Sequence, residues 1–167
     1  MSHRVRPYRR EDAGALAGIY AGAVAAVAPR HYSAAEVAAW LAEAPSPAEI
    51  EEKNDDGRLV FVAVDRLDEA VAWIDLEPDG HIDMLFCAPE WTGRGLASAL
   101  FNALEDAARR LGIARLHVEA SEVAKPIFEK WGFTVVRRQD VRLATGTIHN
   151  YAMARELASP GQAEASP

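Results

Sequence analysis

Hydrophobic positions in the first third of the chain fall at helical spacing, and after Gly57 they condense into short dense runs of strand type. The pattern predicts a short strand around Val5–Tyr8. The acidic pair Glu11 and Asp12 then opens a helix, because carboxylates favour the positive end of a helix dipole. Leu16, Ile19 and Val24 form its apolar stripe, and Pro29 ends it. Ser33 and Glu36 have capping-box spacing; they start a second helix that carries Val37, Trp40 and Leu41 on one face and stops at Pro45. Ser46-Pro47 begins a short third helix, which runs out in the polar turn at 54–57.

Three runs rich in Val, Ile, Phe and Trp follow, over 58–65, 69–77 and 80–88. Turn residues separate them at 66–68 and at Pro78-Asp79-Gly80, so they read as an antiparallel meander. Leu96, Leu100, Ala103, Leu104, Ala107 and Leu111 then recur with period 3.6 on one helix face, closed by Gly112. A strand over 114–120, a short helix over 122–132 containing Pro126, and strands over 133–143 and 147–157 complete the order. The expected fold class is α+β: a mixed, mostly antiparallel central sheet flanked by helices. Residues 1–157 form one domain in this reading, and 158–167 is a polar tail expected to be disordered.

Composition narrows the classes. A chain of 167 residues suits one compact domain. No apolar run approaches the ~20 residues of a membrane span, and the polar N-terminus lacks the apolar core of a signal peptide; a cytoplasmic location without membrane contact is expected. The single cysteine, Cys87, rules out an intramolecular disulfide. A net charge of −7 argues against a nucleic-acid surface, and it means that any polyanionic ligand must be held by a local device.

Such a device stands at Thr92-Gly93-Arg94-Gly95, where a strand turns directly into the long amphipathic helix. Glycines allow close backbone approach, and the first turn of a helix offers unpaired N–H groups at a positive dipole end. Arg94 adds a cation and Ser98 a hydroxyl. No Gly-Lys-Ser/Thr follows, so this is not a Walker A loop. A dinucleotide fingerprint is nearer, with Glu119 ending the next strand, but Ser98 stands at the third glycine and an antiparallel meander precedes the turn. A plain strand–helix turn is the third reading.

Thr92-Gly-Arg-Gly95-Leu-Ala97 resembles the Q/R-x-x-G-x-G/A motif of the GNAT acetyltransferases, and AKPIFEKWGF, ending at Phe133, resembles that family's A-x-x-x-Y-E-K-x-G-F segment. HYSAAEVAAW, ending at Trp40, is similar to a segment of bacterial stand-alone members. The resemblance spans about Arg4 to Leu157 in element order and is sharpest from Asp83 to Phe133. It implies a GNAT-like fold, acetyl-CoA as cosubstrate, and direct acetyl transfer to the primary amine of a small molecule or a protein. The enzyme would act as a monomer or homodimer.

By that resemblance, Leu85, Phe86 and Cys87 pair their backbone with the pantetheine arm. Thr92, Gly93, Arg94, Gly95, Leu96, Ala97 and Ser98 hold the pyrophosphate, and Ser121 touches the pantetheine. Pro126 and Phe128 line the thioester end, and Lys125 or Lys130 meets phosphate. Thr92 replaces the usual Gln or Arg, which backbone binding tolerates. Phe128 replaces the tyrosine that commonly protonates the departing thiolate, so a non-catalytic acetyl-CoA-binding module stays open beside the enzyme, as does a dinucleotide-binding protein.

An ammonium with pKa near ~10 needs a base at neutral pH. Asp83 is the first candidate, Glu119 the third after His81, and Tyr151 is the candidate acid. Each has a plainer reading, as a solvated or ion-paired group or a packed aromatic. His81 shares a strand face with Asp83, but two ligands without a third are not a metal site, and none is expected. Cys87 is expected to be structural. Tyr32 and Trp40 either cover the acceptor site or belong to the core.

Overall fold

The computed structural model describes residues 3–158. The tail expected to be disordered lies outside the described residues except for Ala158. Strands β1 (Arg4–Pro7), β2 (Leu59–Val64), β3 (Ala70–Leu76) and β5 (Leu85–Cys87) form one sheet in the order β1-β2-β3-β5. Strands β4 (His81–Ile82), β6 (Arg115–Ala120), β7 (Thr134–Leu143) and β8 (Gly146–Glu156) form a second, in the order β4-β6-β8-β7. All pairings are antiparallel except β4 with β6. The fold is α+β, as expected, but the third run of the meander is two strands rather than one. His81–Ile82 leaves for the second sheet, and Leu85–Cys87 stays with the first.

Helices α1 (Ala13–Val27), α2 (Ala34–Ala42) and α3 (Pro47–Lys53) lie between β1 and β2, and α4 (Leu96–Arg110) and α5 (Lys125–Lys130) follow β5. Both capping boxes form: Ser33 and Ser46 accept the N–H of Glu36 and Glu49, and each glutamate returns a bond to its serine's N–H. Counted with its flanking 3₁₀ turns, Arg10–Arg30 is a 21-residue helix, long and apolar enough to cross a membrane by length and composition. That corrects the expectation that no apolar run approaches such a length. Alanines supply the apolarity, while Leu16, Ile19, Tyr20 and Val24 are buried in packed clusters.

Helix α4 joins the two sheets on one face. Leu96, Leu100, Phe101, Leu104 and Ala108 pack with Ile74 and Leu76 of β3 and with Ile82, Leu116 and Val118 of β4 and β6. Phe101 stacks on Trp131 with ring centres 4.3 Å apart. At about 2 kcal/mol for each fully buried large side chain, this cluster is the main tie between the sheets. Beyond Ile82 the two sheets part.

Candidate active site

The parting is built by one buried acid. Asp75, 1% exposed, accepts the N–H groups of Asp83 at 3.0 Å and Met84 at 2.7 Å on a single carboxylate oxygen. Its other oxygen takes Arg58 Nη1 at 2.7 Å. A side chain therefore does for residues 83–84 what a neighbouring strand would otherwise do. Burial, and then the nearby charge of Asp83, push the Asp75 carboxyl up to about 6.

Beyond this break β5 pairs only with β3 among the described residues, so its other edge faces a fissure. Ala88 N–H bonds Val71 C=O at 2.8 Å, and Asp75 N–H bonds Met84 C=O at 3.1 Å. Antiparallel bonding alternates, so the even positions 84, 86 and 88 serve β3, and Leu85 and Cys87 turn their N–H and C=O into the fissure. Phe86 was expected to share that duty; the register Trp73↔Phe86 assigns its backbone to β3. Its ring lies against Tyr20 instead, at 4.5 Å between centres.

The far end of the fissure meets the start of α4. Gly95 is the N-cap, with φ +78, and no side chain caps the helix. Gly93 has φ +74, and a Cβ added at either glycine would meet nothing within 4 Å. The first-turn amides of Leu96, Ala97 and Ser98 thus open onto clear space at a positive dipole end, the makings of an anion site. Leu96's own side chain is core, and Ser98 is exposed. Thr92 Oγ1 bonds Pro89 C=O at 2.8 Å, and Arg94 bonds Glu90 C=O at 3.0 Å while lying over the Trp91 ring.

A cleft of about 630 Å³ runs through the fissure. Leu85, Phe86, Cys87, Thr92, Ala97, Ser121 and Phe128 are among the residues lining it, with Tyr20, Tyr32, Trp40, Glu43, Asp83, Glu119 and His149. Tyr32 both covers the cleft and belongs to a buried cluster. Its hydroxyl accepts Glu122 N–H at 2.8 Å and donates to His149 C=O at 3.2 Å. Glu122 in turn bonds His149 Nε2 at 2.7 Å and accepts from the Tyr151 hydroxyl at 2.6 Å. Asn150 also lines the cleft, and its buried Oδ1 has no partner among the described residues.

The remaining expected residues divide. Asp83 lines the cleft, bonded by Lys53 at 3.0 Å and Arg58 at 3.2 Å. Burial raises its carboxyl, but the two cations outweigh that and hold it below the ordinary carboxylate range. Glu119 lines the cleft with its carboxylate on His81 Nε2. Burial presses the His81 imidazole down, and its bonds to Glu77 and Glu119 more than offset this, leaving it raised.

Tyr151 is not among the lining residues, and its bond to Glu122 raises its hydroxyl, which weakens it as an acid. Pro126 is exposed, because the turn of α5 points Ile127 and Phe128 inward in its place. Lys125 pairs with Glu129 at 2.6 Å, and Lys130 is exposed. Ser121 Oγ accepts Ala124 N–H at 3.1 Å. Burial lifts the Cys87 thiol to about 11.

Sequence reasoning missed Asp75, Arg58, Lys53, Glu122 and His149. A buried run containing an acid, AVAWIDL, was the available signal for Asp75; the others meet only through pairing of distant segments.

The chain as a whole is similar to known proteins. The family model "Acetyltransferase (GNAT) domain" matches residues 28–154. An uncharacterized N-acetyltransferase, YafP, of Escherichia coli (strain K12) is 34% identical over 157 residues, covering 90% of this chain and 93% of that protein. The crystal structure of a GCN5-related N-acetyltransferase from Rhodopseudomonas palustris superposes with TM-score 0.85 at 30% identity, over 94% of this chain and 97% of that one. A phosphinothricin acetyltransferase from Sinorhizobium meliloti, solved with acetyl-CoA, shares the fold with TM-score 0.73 at 17% identity, over 100% of this chain and 94% of its own. With three quarters of the chain inside the family's domain and a relative matched along nearly its whole length, this protein belongs to the GNAT acetyltransferase family.

Proposed function

We propose that this chain transfers the acetyl group of acetyl-CoA to a primary amine, on a small molecule or a protein, by direct attack in a ternary complex. One observation carries the reading: a single cleft joins the unpaired edge of β5 to the uncapped first turn of α4. The edge offers the Leu85 and Cys87 backbone to the amides of a pantetheine arm. The turn offers first-turn amides to its pyrophosphate. Membership of the family, and acetyl-CoA bound to the Sinorhizobium relative, support that cosubstrate.

In the transfer a neutral amine nitrogen attacks the thioester carbonyl, the C–N bond forms, the C–S bond breaks, and the thiolate leaves with the electron pair. The amine arrives as an ammonium and must lose one proton before attack; the second leaves the nitrogen as the amide forms and ends, through solvent, on the departing thiolate. Asp83, held ionised by Lys53 and Arg58, is a poor acceptor and acts as the anion that draws the ammonium in. Glu119 is occupied by His81. His149, on the cleft wall and oriented by Glu122, takes the proton, imidazole being the commonest general base. A thiol with pKa near ~8.5 leaves without a dedicated acid, so Phe128 does not prevent turnover. Cys87, raised to about 11, keeps its proton and carries no acyl group.

The test is a thermal shift with acetyl-CoA, coenzyme A and NAD, followed by thiol release over a panel of amines. A ligand at a hundred times its Kd adds about 2.7 kcal/mol, or roughly 5–10 °C here. A rise with acetyl-CoA and turnover on an amine confirms the reading. A rise with NAD alone refutes it, and a rise with acetyl-CoA without turnover on any amine leaves only the binding module.

A further inference from the structure

The structure brings together a side-chain set whose members stand far apart in the chain. His81 and His117 lie directly opposite each other in the parallel pair β4·β6. Their rings stack at 4.9 Å with 23° between planes. Glu119 follows His117 by two residues and so points from the same face. One ring nitrogen of each histidine and a carboxylate oxygen of Glu119 all lie within 4.8 Å of one another.

We propose that His81, His117 and Glu119 bind a divalent transition-metal ion, zinc being the best match. Two imidazoles and a carboxylate with an open fourth position are a zinc ligand set. Zinc–nitrogen bonds of about 2.0–2.1 Å put neighbouring ligand atoms ~3.4 Å apart. Partly exposed side chains reach that from the present spacing by moves of ~1 Å.

The surroundings favour the same reading. Glu77 Oε1 lies 2.9 Å from His81 Nδ1. An ion taking the place of the Nε2–Glu119 hydrogen bond would leave Glu77 accepting the Nδ1–H and the Nε2 lone pair on the metal. Carboxylate behind histidine behind metal is how metal-binding imidazoles are held in one tautomer. Asp79 Oδ2 stands 3.6 Å from His117 Nε2, close enough to support that ring or to enter the open position.

A second grouping, Glu77, His81 and Asp83, is also within 4.8 Å, but it is the wrong place for a cation. Lys53 and Arg58 bond Asp83, and Arg58 Nη2 lies 3.6 Å from Glu77. Occupied, the preferred site clips β4 to β6 at the closed end of the fissure. It also draws Glu119 from the wall of the cleft.

The experiment is a titration of the tag-free, chelator-treated full chain with Zn²⁺ by calorimetry, and with Co²⁺ by visible absorption. The expected result is one ion per chain and a cobalt spectrum of tetrahedral type. Affinity should fall at least tenfold in His81→Gln and in His117→Gln, fall about 10–100-fold in Glu77→Gln, and hold in the remote His31→Gln. Coenzyme A binding by the same variants reports that they are folded. Absence of stoichiometric uptake by the wild type, or uptake that persists in both folded histidine variants, overturns the site.

Discussion

Replacing Gly95 by alanine separates the structural from the proposed ligand-binding role of the turn, because Gly112 at the other end of the same helix supplies a matched control. Both glycines have left-handed backbone, φ +78 and φ +72, and at neither would an added Cβ meet an atom within 4 Å. Strain is then the only folding cost, about 1–2 kcal/mol for a residue with a Cβ in that region. Gly95→Ala and Gly112→Ala should therefore lower Tm equally, by roughly 2–8 °C at ~2–4 °C per kcal/mol for a domain of this size. Their ligand effects should differ. The Gly95 methyl projects into the clear space over the first-turn amides of α4, whereas Gly112 closes the C-terminal end. Loss of one charge-assisted hydrogen bond there costs ~1.5–3 kcal/mol, a 10–150-fold rise in the Kd for coenzyme A. Calorimetry on the three proteins reads this directly. If Gly95→Ala binds coenzyme A within twofold of wild type, or Gly112→Ala loses as much, the anion site is not at this turn.

Asp75→Asn should alter the pH dependence of stability. The Asp75 carboxyl, lifted from 3.8 to about 6, binds its proton more tightly in the fold, so its contribution is present at low pH and is lost as pH rises through 6. A shift of that size is on the order of 3 kcal/mol, and melts from pH 4 to 7 should show the asparagine variant gaining on wild type by up to that amount. Arg58→Met leaves Asp75 buried without its cation and should cost ~3–5 kcal/mol; denaturant titration checks it. Tyr32→Phe removes the bonds to Glu122 N–H and His149 C=O. It should lower stability by ~1–2 kcal/mol and, with an accepted amine, raise KM more than it lowers kcat. His149→Gln should cut kcat at neutral pH, with the Kd for coenzyme A unchanged.

Local rules made most of the helices and the glycine turn legible. The serines at 33 and 46, each with glutamate three residues on, start helices as capping boxes. The 3.6-residue stripe of α4 is buried in the structure as its period requires. The break between β4 and β5 was not legible, because His81–Cys87 reads as one hydrophobic run. What splits it is a carboxylate eight residues upstream, brought alongside by the β3 pairing. The same limit hid His149 and Glu122, which meet only because β8 runs beyond the end of β6. Phe86 shows the reverse case: its position on the strand was readable, but which edge its amide serves depends on register, and that is a property of two strands together.

The alternation along β5 also sets a pattern in time. Amides at 83 and 84 are held by Asp75, and the amide at 88 by Val71, while those of Leu85 and Cys87 face open solvent in the fissure. Hydrogen exchange on this short strand should therefore alternate, fast at 85 and 87 and slow at their neighbours, while α4 keeps both sheets folded beneath. A pantetheine arm lying along that edge would serve as the missing strand. It would erase the alternation, and the slowing of two amides would report cofactor occupancy with no change of shape elsewhere in the molecule.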